Sequence, residues 1–397
     1  MADIKNKVIV WGADGFNTLG LMRELGNSGI DLMFLIKGKK GIAASSKYCT
    51  EYVEIPTIEE GYRYLFENCA HEPYKPIIIT PGDDISIFID QHKEEFEKCF
   101  IVSGTNKKGN LEKYTDKNNM TALAEEIGIL CPKSRSINKE SDISDVEYPC
   151  LIKPSHEKPG HYNEFKFKIC KKKIQLKRTL RYVRRDSEFI LQQYIPKKLD
   201  LLVYGARMWD GNVVFAGAFI RDRWADSGSS SHGYFTNAMP ESVDASKMSA
   251  FLDRIDYHGL FSFEYGLIDD KAYFFEVNLR NDGTSHYFYQ AGVNIPLAYV
   301  YNSAGLDYSH IISEVQEKKC FIDELYDVEN VLTGKISRKK WKQDMAEATV
   351  FKYYDSDDIA PYQLERKGRT KQIIKDIILK RFRLYIVFIL DKCGFRK

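Results

Sequence analysis

Residues 261–283, FSFEYGLIDDKAYFFEVNLRNDG, contain two apolar runs separated by a short acidic stretch. Aromatic and apolar residues in runs of this length, broken by turn-forming residues, predict a β-hairpin. Side chains alternate between the two faces of a strand, so Glu276, Asn278 and Arg280 share one face while Val277 and Leu279 point the other way. Three polar side chains on one face of an otherwise apolar strand indicate a site rather than a core.

The expected pairing of the two strands brings charged side chains together. If residues 269–271 form its loop, Glu264 lies directly opposite Glu276. Directly opposed side chains are about 5 Å apart, where like charges are destabilising unless a cation neutralises them. Mg²⁺ binds carboxylate, phosphate and water oxygens, Asn278 would add a neutral oxygen, and Arg280 offers a planar fork for phosphate. The pattern favours this metal site over the alternative, in which Arg280 simply neutralises both glutamates on a solvated strand.

The first 110 residues alternate apolar strands with helical patterns, which predicts a parallel α/β sheet. Gly12, Gly15 and Gly20 follow the first strand, but the G-x-G-x-x-G spacing is absent because Asp14 stands where glycine is needed. We therefore expect a plain tight turn here. Strands dominate from about residue 149, with a type I′ hairpin predicted at Asp210-Gly211. Residues 221–237 are polar and predict a loop that contacts substrate.

Composition suits a folded protein of two or three domains, with 44% hydrophobic and 29% charged residues and a net charge of +2. The charge is uneven. Residues 166–185 hold ten Lys/Arg and no acid, and residues 367–397 hold ten Lys/Arg against two acids. The cysteines and histidines are dispersed, so a zinc site is not predicted. No signal peptide is visible and the longest apolar run, 384–390, is too short to span a bilayer, so we expect a cytoplasmic protein.

With these motifs in place, the chain resembles the ATP-grasp superfamily, in its carboxylate–amine ligase branch, and similar members are the carbamoyl-phosphate synthase large-chain-like and D-aspartate ligase-like proteins. The resemblance covers most of residues 1–305. It is carried in order by TDKNNMTALAEEIGILCPKS, YPCLIKPS, EFILQQYIP, the hairpin, and SHYFYQAGVNIPLAYVYNSAG.

The resemblance implies an α/β fold with three parts. An N-terminal Rossmann-like pre-ATP-grasp domain (1–112) precedes a two-lobed α+β ATP-grasp domain (113–305, with lobes 113–192 and 193–305). A C-terminal helical extension (306–397) follows. In its basic tail, apolar residues between 371 and 392 recur at helical spacing, which predicts either a peripheral membrane contact or a terminal helix docked on its own protein.

The resemblance also implies roles for individual residues. Glu264, Glu276 and Asn278 match ligands of Mg²⁺, for which Mn²⁺ could substitute, and Arg280 matches the arginine that stabilises phosphate and acyl-phosphate charge. Lys153 matches the lysine near the α-phosphate. The remaining matches are Lys117, with Lys113 as second choice, as a second cation; Gln193, Tyr194 and Ile195 as the adenine hinge; Asp200 as a ribose acceptor; and Arg221 and Arg223 as phosphate or carboxylate ligands.

Two regions depart from the family pattern or stay ambiguous. The segment 155–165, where many members have a glycine-rich lid, holds only Gly160, so a contact with phosphate would come from His156, Lys158 or His161. Further along, Lys166 and Lys168 fit either the nucleotide or a solvated edge strand. Near the end of the fourth strand, Asp83 and Asp84 fit either recognition of a cationic amine or the end of a turn.

The expected function is therefore an ATP- and Mg²⁺-dependent carboxylate–amine ligase that forms an amide through an acyl phosphate. Its partners would be a small-molecule carboxylate, either an amino acid or a cell-envelope sugar acid, and an amine. No nucleic-acid partner is expected, and a homodimer stays open. The alternative is a nucleotide-binding regulatory or polyanion-binding module with little catalysis, which the two basic stretches favour.

Overall fold

A computed structural model of the protein describes residues 4–155, 165, 167–225 and 228–372. The first part of the chain alternates strands and helices: β1 (Val8–Gly12), α1 (Phe16–Gly26), β2 (Leu32–Lys37), β3 (Glu51–Ile55), α2 (Ile58–Asn68), β4 (Ile77–Ile79), α3 (Asp83–Gln91), α4 (Lys93–Cys99) and β5 (Ile101–Val102). These strands form a five-stranded parallel sheet in the order β3-β2-β1-β4-β5. The predicted parallel α/β segment is confirmed.

Both faces of this parallel sheet are buried, which is why its strands are almost entirely apolar in sequence. Ile9, Trp11 and Leu35 pack on one face with α2, α3 and α4. Val10 and Phe34 lie on the other face, in a core shared with α1 and with elements from the second half of the chain.

The turn after β1 is a structural turn, as predicted. A Cβ on Gly12 would lie 2.4 Å from the Cγ of Pro81, so the close approach of these two segments requires glycine. The Asp14 carboxylate accepts hydrogen bonds from the backbone N–H groups of Gly41, Ala43 and Ala44, at 2.6, 2.7 and 3.0 Å. Asp14 thus holds the segment after β2 in place.

The next part of the chain builds a smaller sheet. Its elements are β6 (Gly104–Thr105), α5 (Asn110–Thr115), α6 (Lys117–Ile127), β7 (Ser134–Ile137), β8 (Cys150–Pro154), β9 (Lys168–Cys170), α7 (Lys173–Tyr182) and β10 (Phe189–Gln193). Four of these strands pair in the antiparallel order β7-β10-β8-β9, and α7 covers one face. Ile152, Leu176 and Leu191 lie in the core between sheet and helix.

The remaining elements form the largest sheet and its helices. They are β11 (Leu199–Arg207), β12 (Val213–Trp224), β13 (Ser230–Thr236), α8 (Ala245–Arg254), β14 (Tyr257–Ile268), β15 (Lys271–Asn278), α9 (Thr284–Gln290), α10 (Ile295–Ser303), β16 (Cys320–Ile322), α11 (Val328–Leu332), α12 (Arg338–Glu347) and β17 (Val350–Phe351), followed by helical residues 359–372. The sheet order is β15-β14-β11-β12-β13-β16-β17, with β6 paired to β14. The C-terminal extension therefore supplies two strands to this sheet as well as helices.

Three details of the sequence prediction need correction. Residues 221–237 are not a loop, because most of them belong to β12 and β13. The hairpin at Asp210-Gly211 forms, but Gly211 alone has a positive φ (+88°) and its N–H donates to the carbonyl of Met208. That geometry is a three-residue loop ending in a left-handed glycine rather than a type I′ turn. The loop between β14 and β15 has two residues, 269 and 270, rather than the predicted three, since Ile268 pairs with Lys271.

The predicted domain boundaries stay predictions, although the boundary at residue 112 falls inside α5. The predicted phosphate contacts at His156, Lys158, His161 and Lys166, and the C-terminal basic helix beyond residue 372, lie outside the described residues. Across the described ranges, none of the helices is both long enough and apolar enough to span a bilayer.

Candidate active site

The hairpin β14–β15 places Glu264 directly opposite Glu276, so this predicted pairing is confirmed. The register changes by one residue immediately beyond the pair, where β15 has a bulge at Phe275. The bulge puts Phe275 and Glu276 on the same side of the sheet. Gly266 faces the extra ring across the strands, and a Cβ there would lie 2.4 Å from it. The bulge and the glycine thus set which way Glu276 points.

Glu264 is largely buried and carries an unusual charge environment. Its pKa is raised to about 7, mainly by burial and in part by the neighbouring carboxylates of Glu276 and Asp282. Arg221 acts in the opposite direction, because its Nη2 donates to Glu264 Oε2 at 2.9 Å. Glu264 and Glu276 are opposed across the hairpin and Asp282 lies near them, while Arg221 contacts Glu264 and Arg280 lies 4.0 Å from Asp282. The carboxylates outnumber the arginines at this corner. Asp282 was not predicted from the sequence; its position four residues after β15 gave no signal.

Asn278 and Arg280 continue the same polar face. Asn278 Nδ2 donates to Ser262 Oγ at 3.1 Å, while its Oδ1 accepts from Arg280 Nη2 at 3.2 Å. Arg280 makes a two-point ion pair with Asp83, at 2.7 and 3.1 Å. The direct ion pair of the arginine is therefore with the N-terminal α/β segment, and its charge reaches Glu276 only at longer range. This disfavours the alternative in which Arg280 simply neutralises both glutamates.

The ion pairs also decide between the two interpretations of Asp83 and Asp84. Asp83 is held by Arg280, and Asp84 pairs with Lys37. Both stand in the first turn of α3, and Asp84 Oδ1 accepts from the N–H of Ile85. Acidic residues are favourable at a helix N-terminus. Their placement supports the structural interpretation over recognition of a cationic amine.

Two lysines approach the hairpin from other elements. Lys153 lies on β8, and Lys117 is the first residue of α6, as predicted. The pKa of Lys153 is lowered to about 8, mainly by burial and then by the positive charge of Lys117, while Glu276 acts to raise it. Lys153, Lys117 and Glu276 are therefore close enough to influence one another, although they come from three separate elements. Two half-buried lysines close together are an arrangement that an anion would stabilise.

The hinge residues lie at the end of β10, which pairs with β8. Gln193 is tied to Lys133 by two hydrogen bonds: its N–H donates to the carbonyl at 2.8 Å and its Oε1 accepts from the N–H at 3.3 Å. Ile190 is directly opposite Lys153, so by alternation Gln192 shares the lysine's face. Gln192 was missed from the sequence because its orientation depends on pairing between strands 40 residues apart.

A cavity of about 430 Å³ lies beside this hinge. Its lining includes Tyr148, Cys150, Gln193 and Tyr194. The cavity is lined by neither the hairpin residues nor Lys153 and Lys117. It is therefore separate from the region where Glu276 approaches these two lysines.

The structure argues against a catalytic role for Arg223. Its guanidinium makes two contacts of 2.8 Å with Asp327 and one of 2.9 Å with Asp344, and both aspartates are 1% exposed or less. The strand register is irregular between Arg221 and Arg223, so the two arginines reach different neighbours. Arg223 anchors the C-terminal extension to the large sheet.

The ribose role predicted for Asp200 is also not supported. Its side chain is 1% exposed and has three partners inside the protein. They are Lys197 at 2.5 Å, Arg221 at 3.1 Å and the indole nitrogen of Trp224 at 2.8 Å. A hydroxyl could reach this carboxylate only by displacing one of them. Asp200 instead orients Arg221 towards Glu264.

The donor set of the hairpin fits a hard divalent cation. Within the described ranges, no group of three or more His, Cys, Asp or Glu side chains could hold a metal alone. However, Glu264, Glu276 and Asn278 offer two carboxylates and an amide oxygen, and no described residue donates a hydrogen bond to Glu276. Mg²⁺ typically takes only one or two carboxylates and completes its coordination with water and phosphate oxygens. Opposed carboxylates that lack enough cationic partners are what such an ion would neutralise.

No protein-family model and no curated protein sequence matches the chain. Solved structures do. The L-amino acid ligase from Bacillus licheniformis aligns with a TM-score of 0.61 and 13% identity, over 79% of this chain and 78% of the other. N5-carboxyaminoimidazole synthetase from Staphylococcus aureus, complexed with ADP, aligns with a TM-score of 0.63 and 12% identity over 84% and 86%. The corresponding synthase from Aspergillus clavatus, in complex with ADP and 5-aminoimidazole ribonucleotide, gives 0.60 and 13% over 79% and 81%.

Proposed function

This chain has the ATP-grasp fold, and we propose that it is an ATP- and Mg²⁺-dependent ligase that joins a carboxylate to an amine through an acyl phosphate. The proposal uses Glu264, Glu276 and Asn278 as the metal-binding set. Lys153 and Lys117 contact the nucleotide phosphates, and the backbone of residues 193–195 binds adenine. Arg223 and Asp200 have no part in it.

One observation carries the proposal. The opposed carboxylates of the hairpin stand near two half-buried lysines of other elements: the charge of Glu276 acts to raise the pKa of Lys153 on β8, and Lys117 of α6 acts to lower it. A structural role alone would bring these charges into direct ion pairs, yet neither lysine is ion-paired to a glutamate among the described residues. A polyphosphate with a bound divalent cation would neutralise both sets of charges. The cation would bind the carboxylates, and the phosphate oxygens would pair with the lysines.

The chemistry of amide formation explains the need for this arrangement. A carboxylate is a poor electrophile, and phosphorylation turns one of its oxygens into a leaving group. The γ-phosphoryl bond of ATP breaks as the carboxylate oxygen attacks phosphorus, giving ADP and an acyl phosphate. The amine then attacks the acyl carbon, and phosphate and a proton leave. Phosphoryl transfer requires mainly positioning and charge stabilisation, which Lys153, Lys117 and Arg280 would provide.

Arg280 is available for this role because of where it stands. It is held against Asp83 at the boundary between the hairpin and the α/β segment, with its Nη2 on Asn278. The guanidinium group could donate the same two hydrogen bonds to a carboxylate or a phosphate in place of Asp83. Bound Mg²⁺ would supply Lewis-acid stabilisation of phosphate oxygens at Glu264, Glu276 and Asn278.

The substrate class follows from the fold relatives only in part. One of them is an L-amino acid ligase and others act on an aminoimidazole ribonucleotide, as their names state. We propose an amino acid or a cell-envelope sugar acid as the carboxylate. The test is a panel of pooled carboxylates with ATP and Mg²⁺, with hydroxylamine as a generic nucleophile that traps an acyl phosphate as a hydroxamate. ADP release is measured in parallel.

The expected result is hydroxamate and ADP in equal amounts from at least one pool, with both lost in Glu276→Gln. The matched control is Glu314→Gln, which removes an exposed carboxylate remote from the hairpin and should leave the yield unchanged. ADP release without hydroxamate from any pool would contradict the acyl-phosphate mechanism.

A second candidate function is a nucleotide-binding regulatory or polyanion-binding module. The observation in its favour is the run of exposed basic residues on β9 and α7, which has no acid within it. Such a module would bind ADP and ATP with Mg²⁺ but would show no ADP release that depends on an added carboxylate. ADP release that depends on an added carboxylate therefore distinguishes the two candidate functions.

A further inference from the structure

The outer face of α7 combines charge and apolar surface in an unusual way. The helix packs Leu176, Thr179 and Leu180 against the smaller sheet. On the opposite side the chain exposes a set that we call the α7 face: Lys173, Ile174, Lys177, Arg178, Arg181 and Tyr182. At 3.6 residues per turn, Ile174 points almost directly away from the sheet, in the middle of the cations.

The two apolar members of the α7 face are strongly exposed. Ile174 is 68% exposed and Tyr182 is 74% exposed, the largest fraction of any exposed large hydrophobic side chain among the described residues. A β-branched aliphatic side chain in full contact with water stabilises neither the helix nor the core. Its position among cations is what a surface made to contact a lipid interface would show.

Three central cations of the α7 face lack acidic partners, whereas Lys173 at its edge acts on Asp142. Within the described ranges no carboxylate lies within ion-pair distance of Lys177, Arg178 or Arg181. The first turn of the helix contains no acid and follows Lys171 and Lys172, although the positive end of a helix dipole favours anions. The surface is therefore complementary to an external array of negative charge.

We propose that the α7 face docks the protein on an anionic lipid membrane. Phosphate head groups would pair with the lysines and arginines, while Ile174 and Tyr182 enter the boundary between head groups and acyl chains. A nucleic acid would use the cations but gain nothing from an outward isoleucine, so the apolar members favour lipid. The sheet face that carries Lys153 stays accessible in this orientation, because α7 covers the opposite face.

The test is co-sedimentation of the full chain with vesicles. Pure phosphatidylcholine vesicles are compared with vesicles that also contain phosphatidylglycerol. The full chain should bind only the anionic vesicles. Each cation near an anionic membrane surface adds to the binding free energy. Lys177→Glu combined with Arg181→Glu should therefore lower the partition coefficient at least about tenfold. Ile174→Ser should also lower it, by severalfold, with salt dependence unchanged.

The matched control is Lys339→Glu with Lys342→Glu, which reverses two exposed lysines on another helix, α12. It should bind vesicles as the unmodified chain does. Circular dichroism checks that all variants stay folded. Unchanged binding in the Lys177/Arg181 variant would overturn the proposal and assign any membrane contact to another segment. Binding of a single-stranded oligonucleotide more tightly than vesicles, unaffected by Ile174→Ser, would equally overturn it in favour of a polyanion site.

Discussion

Replacing Glu276 by glutamine should make the isolated protein slightly more stable while it destroys activity. Glu276 faces Glu264 directly across the hairpin, and no described residue donates a hydrogen bond to it. Like charges directly opposed on two strands destabilise a sheet by about 0.2–1 kcal/mol. The substitution keeps the shape and removes this repulsion, together with a longer-range attraction of Glu276 to Lys153 and Arg280 that offsets part of the gain. A rise in melting temperature of about 1 °C is therefore expected for a chain of this size.

The gain should depend on pH in a defined direction. The pKa of Glu264 is raised to about 7 by burial and by its acidic neighbours. Below that value Glu264 is protonated and the pair is not repulsive, so Glu276→Gln should have little effect on stability at about pH 5.5. Above it Glu264 is charged and the gain is complete. Thermal unfolding followed by fluorescence at both pH values measures the difference, with Glu314→Gln as the control.

The activity of the same variant should fall at least about a hundredfold, because a carboxylate proposed to hold the Mg²⁺ that would neutralise the transferring phosphate is lost. Stabilisation of the unmodified protein by Mg²⁺ with ADP should also disappear. A variant that melts below the unmodified protein without ligand would refute the reasoning, since Glu276 would then be a structural residue. Retained Mg²⁺-dependent stabilisation would refute it equally.

Three further predictions concern other parts of the structure. The pKa of Lys153 is lowered to about 8 by burial and by Lys117, so Lys153 should take up a proton when ADP binds. Calorimetry in buffers of different ionisation enthalpy should show this proton uptake near about pH 8, and Lys153→Met should abolish it. The absence of proton uptake would contradict the placement of phosphate beside Lys153. Glu24 is fully buried with a pKa raised to about 8, so the folded state loses stability as pH rises from the ordinary carboxyl range through that value; Glu24→Gln should flatten the fall in melting temperature between about pH 6 and about pH 9, and an unchanged slope would count against it. Arg223→Gln leaves the buried Asp327 without its cationic partner, while Asp344 keeps Lys340 at 2.7 Å, and should cost about 3 kcal/mol of folding free energy. The KM for ATP measured well below the melting temperature should stay unchanged, and a selective rise in KM would restore Arg223 to the site.

The hairpin shows what local sequence could establish. An assumed loop at residues 269–271 was enough to pair Glu264 with Glu276, because the two strands are adjacent in the chain. The loop length was wrong by one residue, and the bulge at Phe275 compensates for it. The bulge depends on Gly266, where a side chain would collide with the Phe275 ring. Such mutual accommodation is set by packing and has no signal in either strand alone.

The partners of the arginines show what the sequence could not establish. Arg221, Arg223 and Arg280 all matched basic positions of the family. Arg223 turned out to contact Asp327 and Asp344, more than a hundred residues away, and Arg280 contacts Asp83 across 197 residues. A guanidinium pairs with whichever carboxylate the tertiary fold brings near. Its role therefore cannot be read from its own strand.

The convergence of Lys153 and Lys117 lies between these cases. The sequence placed Lys153 at the end of a strand and Lys117 at the start of a helix, and both placements are confirmed. Their proximity depends on how α6 and the smaller sheet meet the hairpin. Only the resemblance to a family predicted it, since no periodicity links the two elements.

The central claim is that the carboxylate substrate becomes phosphorylated. Once the hydroxamate panel has named the acid, the acid is prepared with both carboxylate oxygens replaced by the heavy isotope and is incubated with ATP, Mg²⁺ and the amine acceptor. Mass spectrometry of the released phosphate then reports the path of the oxygen. The account predicts one heavy oxygen in each phosphate formed, because the bond between acyl carbon and that oxygen breaks when the amine attacks. Phosphate without heavy oxygen, formed together with amide, would contradict the acyl-phosphate mechanism.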